Sequence, residues 1–451
     1  MSAGSFTIHD VTVVNEGGCY QASVCVEDGR IAEISEERRT LHSSLLLLPG
    51  IIDGHVHMRE PGLTHKATME SETRAAARGG VTTVLDMPNV VPQTTTLQLL
   101  KERYALAEGK CHVNYGFYLG ATNDNLEEIK RLDPTLCPGV KLFMGSSTGN
   151  MLVDREEALR SIFKESPTLI MAHCEDTERI KSLTLALSNG EGIFQQFTPL
   201  LEGGGEAPIR LHPLIRDHEA CYKSTEFAVR LAKEEGARLH VAHITTAQEL
   251  ELFSPNDENI TAEACVPHLL FTDMDYETLG ARIKCNPAIK TAADRKALRK
   301  ALTDGRIRTV ATDHAPHLLS EKVGGCLKAM SGMPMVQFSL PAMLSLVDEG
   351  VLSLERVVEL MCHNPARLYG IKDRGFIREG YWADLTLVRR QPWMVTKDGI
   401  ESRCGWSPLE GRTFNWQVEK TWVNGKLVWD GTSFPLPPEG KRAEFVKEMK
   451  K

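Results

Sequence analysis

The chain has 451 residues, of which 42% are hydrophobic and 25% are charged, a composition typical of a globular protein long enough for more than one domain. The formal net charge of −8 argues against nucleic acid or an anionic membrane as the main partner. The eleven cysteines are scattered without a CxxC pair, which disfavours a disulfide framework and favours a reducing, cytoplasmic compartment. No signal peptide is predicted, and the longest apolar run is too short to span a bilayer.

The N-terminal segment alternates short β-rich runs with turns. These runs cover residues 6–8, 11–14, 22–26 and 31–34. Asp28-Gly29 is a dipeptide typical of a tight hairpin turn. We therefore predict a small β unit that ends where the apolar run at residue 45 begins.

From residue 45 onward, strand-like and helix-like patterns alternate. Apolar runs predict eight strands, at residues 45–58, 81–87, 112–119, 140–144, 168–173, 239–244, 260–265 and 307–312. Amphipathic stretches predict helices between them, at residues 66–78, 96–108, 155–165, 218–234 and 291–301. This alternation indicates an α/β protein with a (β/α)8 TIM-type barrel, whose active site would lie at the carboxyl ends of the strands.

The first barrel strand carries the most informative stretch, PGIIDGHVHMREPG. His55 and His57 are two residues apart, so their side chains leave the strand on one face, together with that of Asp53. Such a pair suits chelation of one metal ion. By itself, an HxH pair is equally compatible with two hydrogen-bonded histidines at a strand end.

Further polar residues fall at or just beyond the ends of the other predicted strands. They are Asn89, Lys141, His173, His243, Asn286 and Asp313. Taken singly, His173 and His243 are more typical of hydrogen-bonded core histidines. Lys141 lies within an apolar strand, where a lysine must be neutral or paired. Pairing with a carboxylate is the simpler interpretation, whereas a neutral amine near two metal ions can take up carbon dioxide and bridge them as a carbamate.

After predicted helices at 341–349 and 354–364, the sequence returns to β patterns. We predict strands at 375–388 and 418–429, the second with an Asn-Gly turn. We expect them to join the N-terminal strands in a small discontinuous β-sandwich domain of residues 1–48 and 375–451, leaving residues 49–374 as the barrel domain. The tail after residue 435 is Pro-rich and then charged, and a terminal helix is expected there.

Two segments have the composition of long loops. Residues 183–213 are Gly-rich and polar, which favours a surface insertion over a cover for the barrel mouth. Residues 321–334 contain several glycines and follow the Asp313 motif, and their composition is typical of a lid.

The residues at the strand ends suggest a particular chemistry. Four histidines, an aspartate and a bridging anion form a set of nitrogen and oxygen donors that suits two zinc ions. Such a centre activates a bridging water and polarises a carbonyl, and Asp313 could carry the proton to a leaving nitrogen. The predicted reaction class is hydrolysis of an amide-like C–N bond.

Three motifs together resemble those of dihydroorotases, within the amidohydrolase superfamily. They are HVHMREPG, the THK that follows it, and GGVTTVLDMPN. The resemblance extends from about residue 45 to residue 387. Arg59 is the discriminating residue, because the allantoinases and dihydropyrimidinases that resemble this chain have other residues there.

The resemblance implies a role for each residue of the site. His55, His57 and Asp313 would bind the first zinc ion, His173 and His243 the second, and Lys141, carboxylated by CO2, would bridge them. Some bacterial members have an aspartate instead of this lysine. The implied substrate ligands are Arg59, Asn89 and His317 for a carboxylate, Asn286 for the ring, and Ser331 with Gly332 after the lid. In CNPAIKT, Ala288 replaces the second proline of the family's NPP motif.

The implied reaction is the reversible hydrolysis of L-dihydroorotate to N-carbamoyl-L-aspartate, a step of de novo pyrimidine synthesis. Two alternatives remain open: a related cyclic amidase acting on hydantoins, dihydropyrimidines or allantoin, and a non-catalytic partner of aspartate transcarbamoylase. The sequence leaves the oligomeric state open, and a homo-oligomer is compatible with it.

Several residues near the motifs are given no role as ligands. His240 and His314 are expected to point away from the site, since they lie on the opposite faces of their strands. Cys174 and Glu175 could support His173 or simply pack beside it, and these two interpretations are equally favoured.

Overall fold

The computed structural model describes residues 4–36, 44–145, 151–197 and 206–446. The strands, in chain order, are β1 Phe6–Asn15, β2 Gly18–Glu27, β3 Arg30–Glu36, β4 Leu45–Pro49, β5 Ile51–Val56, β6 Val81–Asp86, β7 Asn114–Phe117, β8 Leu119–Gly120, β9 Val140–Phe143, β10 Ile170–His173, β11 Leu239–Val241, β12 Ile260–Cys265, β13 Thr309–Ala311, β14 Leu385–Met394, β15 Thr413–Val423 and β16 Lys426–Trp429.

The α-helices, in chain order, are α1 Met69–Arg78, α2 Leu97–Ala107, α3 Leu126–Lys130, α4 Glu156–Glu165, α5 Thr177–Asn189, α6 His212–Ile215, α7 His218–Glu235, α8 Val266–Leu270, α9 Tyr276–Leu279, α10 Ala292–Asp304, α11 Gly325–Lys328, α12 Ser339–Asp348, α13 Leu354–Val358 and α14 Asn364–Leu368.

The eight predicted strands form a closed parallel barrel. β5, β6 and β7 pair in one sheet, and β8 to β13 pair in order in the next. β7 and β8 are separated only by Tyr118, whose backbone N–H donates to Asp86 O at 3.2 Å. The ring closes where His57 N donates to His314 O at 2.7 Å. The carboxylate of Asp53 reinforces this closure by accepting from the backbone N–H of Thr312 at 3.2 Å. The predicted barrel is confirmed.

The predicted strand at 45–58 is in fact two strands in two sheets. β4 pairs with β1 and β14, whereas β5 pairs with β6 in the barrel. The chain crosses between the sheets at Gly50, where a Cβ atom would lie 2.1 Å from Thr82 Oγ1. A continuous apolar run does not reveal this crossing, because both strands are buried and equally hydrophobic.

The second sheet contains strands from both ends of the chain. Its seven strands run in the order β16-β15-β14-β4-β1-β2-β3. The Asp28-Gly29 and Asn424-Gly425 turns are confirmed, with positive φ at all four residues. The strand predicted at 375–388 begins only at Leu385, because positive φ values at Gly375 and Gly380 turn the preceding chain. The domain boundaries at 48/49 and 374/375 stay a prediction.

The barrel helices begin at side-chain caps that the sequence displays. Thr68 Oγ1 accepts from Ser71 N at 3.1 Å before α1, and Asp217 Oδ1 accepts from Ala220 N at 2.9 Å before α7. α7 ends at Gly236 in the left-handed region. Consequently the predicted helix limits differ from the observed ones by a few residues at most in this part of the chain.

The long loops pack against each other near the barrel mouth. Ala207 O accepts from Cys326 N at 2.9 Å, which joins the 183–213 segment to α11 in the 321–334 segment. Residues 198–205 of the first segment lie outside the described residues.

The terminal helix expected after residue 435 is absent from the described part of the tail. Residues 440–446 instead extend along the barrel, where Ala443 N donates to Tyr115 O at 2.8 Å. Residues 447–451 lie outside the described residues. No described helix has both the length and the apolar character needed to cross a bilayer.

Candidate metal centre

The predicted site residues converge on a narrow cavity of about 30 Å³ at the carboxyl ends of the barrel strands. Its lining consists of His55, His57, Arg59, Lys141, Phe143, His173, His243, Asn286, Asp313, Ala315, Ser331 and Gly332. Ten of the twelve predicted site residues are in this set. The other two, Asn89 and His317, contact members of it from behind.

His55 and His57 present the same ring nitrogen to Asp313. His55 Nδ1 lies 2.8 Å from Glu263 Oε1, and His57 Nδ1 lies 2.8 Å from Asn89 Oδ1. These acceptors place the proton on Nδ1 of both rings. The two Nε2 atoms therefore keep their lone pairs and lie 3.3 and 3.0 Å from Asp313 Oδ1. One nitrogen from each ring and the carboxylate oxygen lie within 4.8 Å of one another.

Charge and burial set the protonation states of these groups. Burial alone would raise the pKa of Asp313, but His55 and His57 lower it to about 2. Burial lowers the pKa of His57 to about 4. At neutral pH the group is thus an ionised carboxylate beside a neutral imidazole, which are the protonation states that a metal ion requires.

His173 and His243 form a second pair beside the first. His173 Nδ1 and His243 Nε2 are 2.9 Å apart, with the ring planes at 83°. The ring centroid of His243 is 5.4 Å from that of His55, so the two pairs adjoin. His173 Nε2 also lies 3.2 Å from Glu175 Oε2, and Glu175 in turn pairs with Arg216.

Lys141 lines the same cavity as the four histidines, inside the barrel. Its Nζ is buried and has no hydrogen-bond partner within the described residues. Its Nζ lies 5.1 Å from the centroid of the Phe143 ring. Burial lowers the pKa of Lys141 to about 8. Among the described residues, Lys141 is therefore not paired with a carboxylate, although such a pair is the simpler interpretation of the sequence.

Arg59 faces the cavity from the loop after β5. Its φ of 67° turns the side chain toward the mouth, where Nε donates to Pro316 O at 3.0 Å. Its terminal nitrogen lies 2.9 Å from His317 Nε2. Lys66 Nζ lies 3.1 Å from His317 Nδ1 on the other side. Burial and these two cations hold the pKa of His317 far below its usual range, so the ring is neutral.

The remaining predicted residues, Asn286, Ser331 and Gly332, also line the cavity. Asn286 Oδ1 is buried without a hydrogen-bond partner in the described structure. Gly332 has φ of 127°, and a Cβ there would lie 2.7 Å from Ala315 O. Lys322 Nζ donates to Gly332 O and Met330 O, both at 2.7 Å, and so holds the loop over the barrel.

One prediction about the neighbouring histidines is wrong and one is confirmed. His240 lies inside the barrel, with its ring nitrogens 2.8 Å from Thr261 Oγ1 and 3.1 Å from Thr309 Oγ1. His240 faces inward within β11, in register with Met171 and Lys141 on the neighbouring strands. Strand alternation does not extend to His243, because its φ of 39° lies after the end of β11 and lets its ring face inward as well. His314 does face away, toward Glu72 Oε2 at 2.7 Å.

Sequence reasoning missed Glu263 and Lys66. Glu263 lies in β12, in the apolar run ITAEAC, and an acidic residue there is a signal that could have found it. Lys66, in contrast, lies in a loop whose approach to His317 depends on the tertiary structure.

The donor set fits a metal centre. It combines four imidazoles, one carboxylate and one amine, which are nitrogen and oxygen ligands of the kind that zinc prefers. Several of these buried atoms lack a hydrogen-bond partner among the described residues, and buried polar atoms are normally satisfied. His55, His57 and Asp313 would hold one ion, and His173 and His243 a second.

Comparison with known proteins bears on the family. The family model described as the amidohydrolase family matches residues 46–428, which include all the barrel strands and the whole site. The chain belongs to the amidohydrolase family.

The amidohydrolases that the chain resembles differ in substrate. It is 34% identical to the dihydroorotase of Halobacterium salinarum, over 85% of this chain and 86% of that protein. It is 30% identical to the allantoinase of Salmonella paratyphi B, over 96% of this chain and 97% of that protein. The L-hydantoinase (dihydropyrimidinase) from Arthrobacter aurescens superimposes with a TM-score of 0.87 and 27% identity, covering 97% of this chain and 99% of that one. The residues of the site therefore decide between these substrates.

Proposed function

We propose that this amidohydrolase is a dihydroorotase. It hydrolyses the cyclic amide of L-dihydroorotate to N-carbamoyl-L-aspartate and catalyses the reverse ring closure, a step of de novo pyrimidine synthesis. The observation that carries the proposal is Arg59, a cation that faces the cavity beside the His55–His57 pair with neutral His317 behind it. A planar guanidinium is well suited to a ring carboxylate.

The proposed cofactor is a pair of zinc ions. His55, His57 and Asp313 would hold the first ion and His173 and His243 the second, and Lys141, carboxylated by CO2, would supply an anionic ligand to both. The lowered pKa of Lys141, about 8, supports carboxylation, because only a neutral amine attacks CO2. When bound, the zinc pair lowers the pKa of a water and polarises the substrate carbonyl.

Asp313 is the proposed proton carrier. It takes a proton from the attacking water and gives it to the ring nitrogen as the C–N bond breaks. Its pKa of about 2 keeps the carboxylate ionised at neutral pH, so it is ready to accept. Since the same group serves both directions, this role is compatible with a reversible reaction.

The substrate is held around its carboxylate and its ring. Arg59 supplies the charge, and the position of its side chain is fixed by Pro316 O and His317. Asn89 and His317 complete the carboxylate site. The groups proposed to contact the ring are Asn286, Ser331 and Gly332.

A carboxylate-free cyclic amide is the second candidate substrate, supported by the similarity to an allantoinase and to a hydantoinase. Arg59→Met separates the two. We expect kcat/KM for dihydroorotate to fall, because the variant loses about 2–5 kcal/mol of transition-state binding. Any turnover of dihydrouracil or hydantoin should stay the same. Arg210→Met, on an exposed arginine, is the control. Unchanged dihydroorotate hydrolysis in Arg59→Met would refute the assignment.

Metal analysis separates the enzyme from the non-catalytic alternative. We expect two zinc ions per chain and loss of activity with a chelator, while a protein without stoichiometric metal would favour a scaffold role.

The proposed location of the protein is the cytoplasm. The described structure has its eleven cysteines as free thiols, which agrees with this location.

A further inference from the structure

Glu263 touches both histidine pairs with a single carboxylate oxygen. Its Oε1 lies 2.8 Å from His55 Nδ1 and 3.4 Å from the backbone nitrogen of His243. The side chain is fully buried in β12. His55 belongs to the first proposed metal position and His243 to the second, so Glu263 lies behind both.

The contact with His55 fixes the state of the imidazole. Because a carboxylate accepts from Nδ1–H, the lone pair is kept on Nε2, 3.3 Å from Asp313 Oδ1. The same contact prevents the ring from rotating about its Cβ–Cγ bond. Removing a carboxylate that accepts from a histidine ligand in this way typically lowers metal affinity by about 10- to 100-fold.

The contact with His243 acts on the backbone. His243 has φ of 39°, a conformation that non-glycine residues adopt at a cost in free energy. Its N–H points to Glu263 Oε1, which stabilises the turn. That turn directs the ring toward His173, with Nε2 2.9 Å from His173 Nδ1.

We propose that Glu263 is a positioning residue shared by the two metal positions, so that its loss weakens both ions together. The inference rests on the proposed function, since it requires a binuclear centre. The alternative is a purely structural role, in which Glu263 only interacts with buried neighbours. Two such neighbours are present, since His240 Nε2 lies 3.8 Å from Glu263 Oε2 and Cys265 Sγ lies 3.5 Å from Glu263 Oε1.

The experiment measures zinc retained per chain against increasing concentrations of a competing chelator. The proteins compared are the full-length wild type, Glu263→Leu, Glu263→Gln and Asp384→Asn. Asp384 is an equally buried carboxylate paired with Arg374 outside the site, so its variant controls for general damage to the fold. Unfolding of the zinc-free proteins is followed in parallel.

We expect Glu263→Leu to lose both ions at chelator concentrations about 10- to 100-fold lower than the wild type. Glu263→Gln should lose less, because the amide oxygen still accepts from His55 and His243. Asp384→Asn should retain zinc like the wild type even where it unfolds more easily.

The outcomes distinguish this inference from the proposed function. A wild type without zinc would refute the function itself. A zinc-loaded wild type with Glu263 variants that retain both ions equally well would overturn the positioning role, as would loss of one ion alone. If Glu263→Leu does not fold, Glu263→Gln decides. A second measurement uses proteins loaded with cobalt in place of zinc. If Glu263 orients the ligands, the visible absorption of cobalt should differ between the wild type and the Glu263 variants. An unaltered spectrum together with unaltered metal retention would contradict the proposal.

Discussion

Two buried polar clusters of this protein differ in how their atoms are satisfied. One is the metal centre at the barrel mouth. The other lies where the seven-stranded sheet meets the barrel, around Asp384. There Asp384 pairs with Arg374 and accepts from Asn114 Nδ2 at 3.0 Å, and Asn424 Oδ1 accepts from Arg374 at 2.8 Å.

The Asp384 cluster is complete within the protein. Its second carboxylate oxygen accepts from Asn424 N at 2.8 Å, and Asn424 Nδ2 donates to Asn114 Oδ1 at 2.9 Å. At the mouth, by contrast, Lys141 Nζ and His243 Nδ1 are buried without partners among the described residues. The first arrangement is that of a structural network.

This difference distinguishes buried polar groups that stabilise the fold from buried polar groups that bind a ligand. Unpaired buried polar atoms cost stability. A cluster of several such atoms in one place therefore indicates a site where a ligand binds. The comparison predicts opposite effects of mutation: loss of activity without loss of stability at the mouth, and the reverse around Asp384.

The largest effect is expected for Asp313→Asn. The amide keeps the shape of the side chain but cannot take up a proton, so kcat on dihydroorotate should fall by about 10²- to 10⁴-fold. The free energy of unfolding of the zinc-free protein should fall by no more than about 2 kcal/mol at pH 7, which is what a folded pKa of about 2 contributes. Steady-state kinetics and urea titration measure the two quantities. A variant that loses stability but keeps its turnover would break the comparison.

Asp384→Ala should show the opposite pattern. Removing one partner leaves the Arg374 charge buried and unpaired, at a cost of about 3–5 kcal/mol of unfolding free energy. The kcat of the folded fraction should be unchanged, because the cluster does not line the cavity. Urea unfolding and an assay corrected for the folded fraction provide the test. Stability equal to that of the wild type would contradict the structural role.

Lys141→Met tests whether an unpartnered group at the mouth costs stability. Removing a buried amine that lacks a hydrogen bond should raise the unfolding free energy of the zinc-free protein by about 1–3 kcal/mol. Zinc retention and activity should be lost at the same time. Thermal unfolding of both zinc-free proteins is the measurement, and destabilisation by the substitution would show that the lysine has a structural partner.

The smallest effect is expected for Asp294→Asn, at the start of α10. Burial would raise the pKa of Asp294, but His218 and Thr291 lower it below its ordinary value. The carboxylate therefore contributes stability above about pH 4 that is lost as the pH falls through the lower folded pKa. We expect a loss of about 1 kcal/mol at pH 7. Urea titrations at pH 7 and pH 3 should show this difference shrinking in acid, and a constant difference would contradict the charge effect.

Much of the fold and the site follows from the sequence because the signals are local. Apolar runs and helix caps locate the barrel strands and helices, and a barrel brings the carboxyl ends of its strands together. For this reason His57, Lys141, His173 and Asp313 could be placed at one mouth before any coordinates were known. The resemblance to dihydroorotases supplied the proposed roles.

The sequence by itself determined where the barrel strands and helices lie and which residues meet at the carboxyl ends of the strands, since apolar runs and helix caps depend on near neighbours. Only the tertiary structure decided the inward turn of His240, the approach of Lys66 to His317 and the position of Glu263 behind two histidine pairs. Each of these depends on a backbone turn or a contact between distant segments, such as the φ of 39° at His243. Sequence spacing does not encode such geometry, because it arises only when the closed barrel fixes the strands relative to one another.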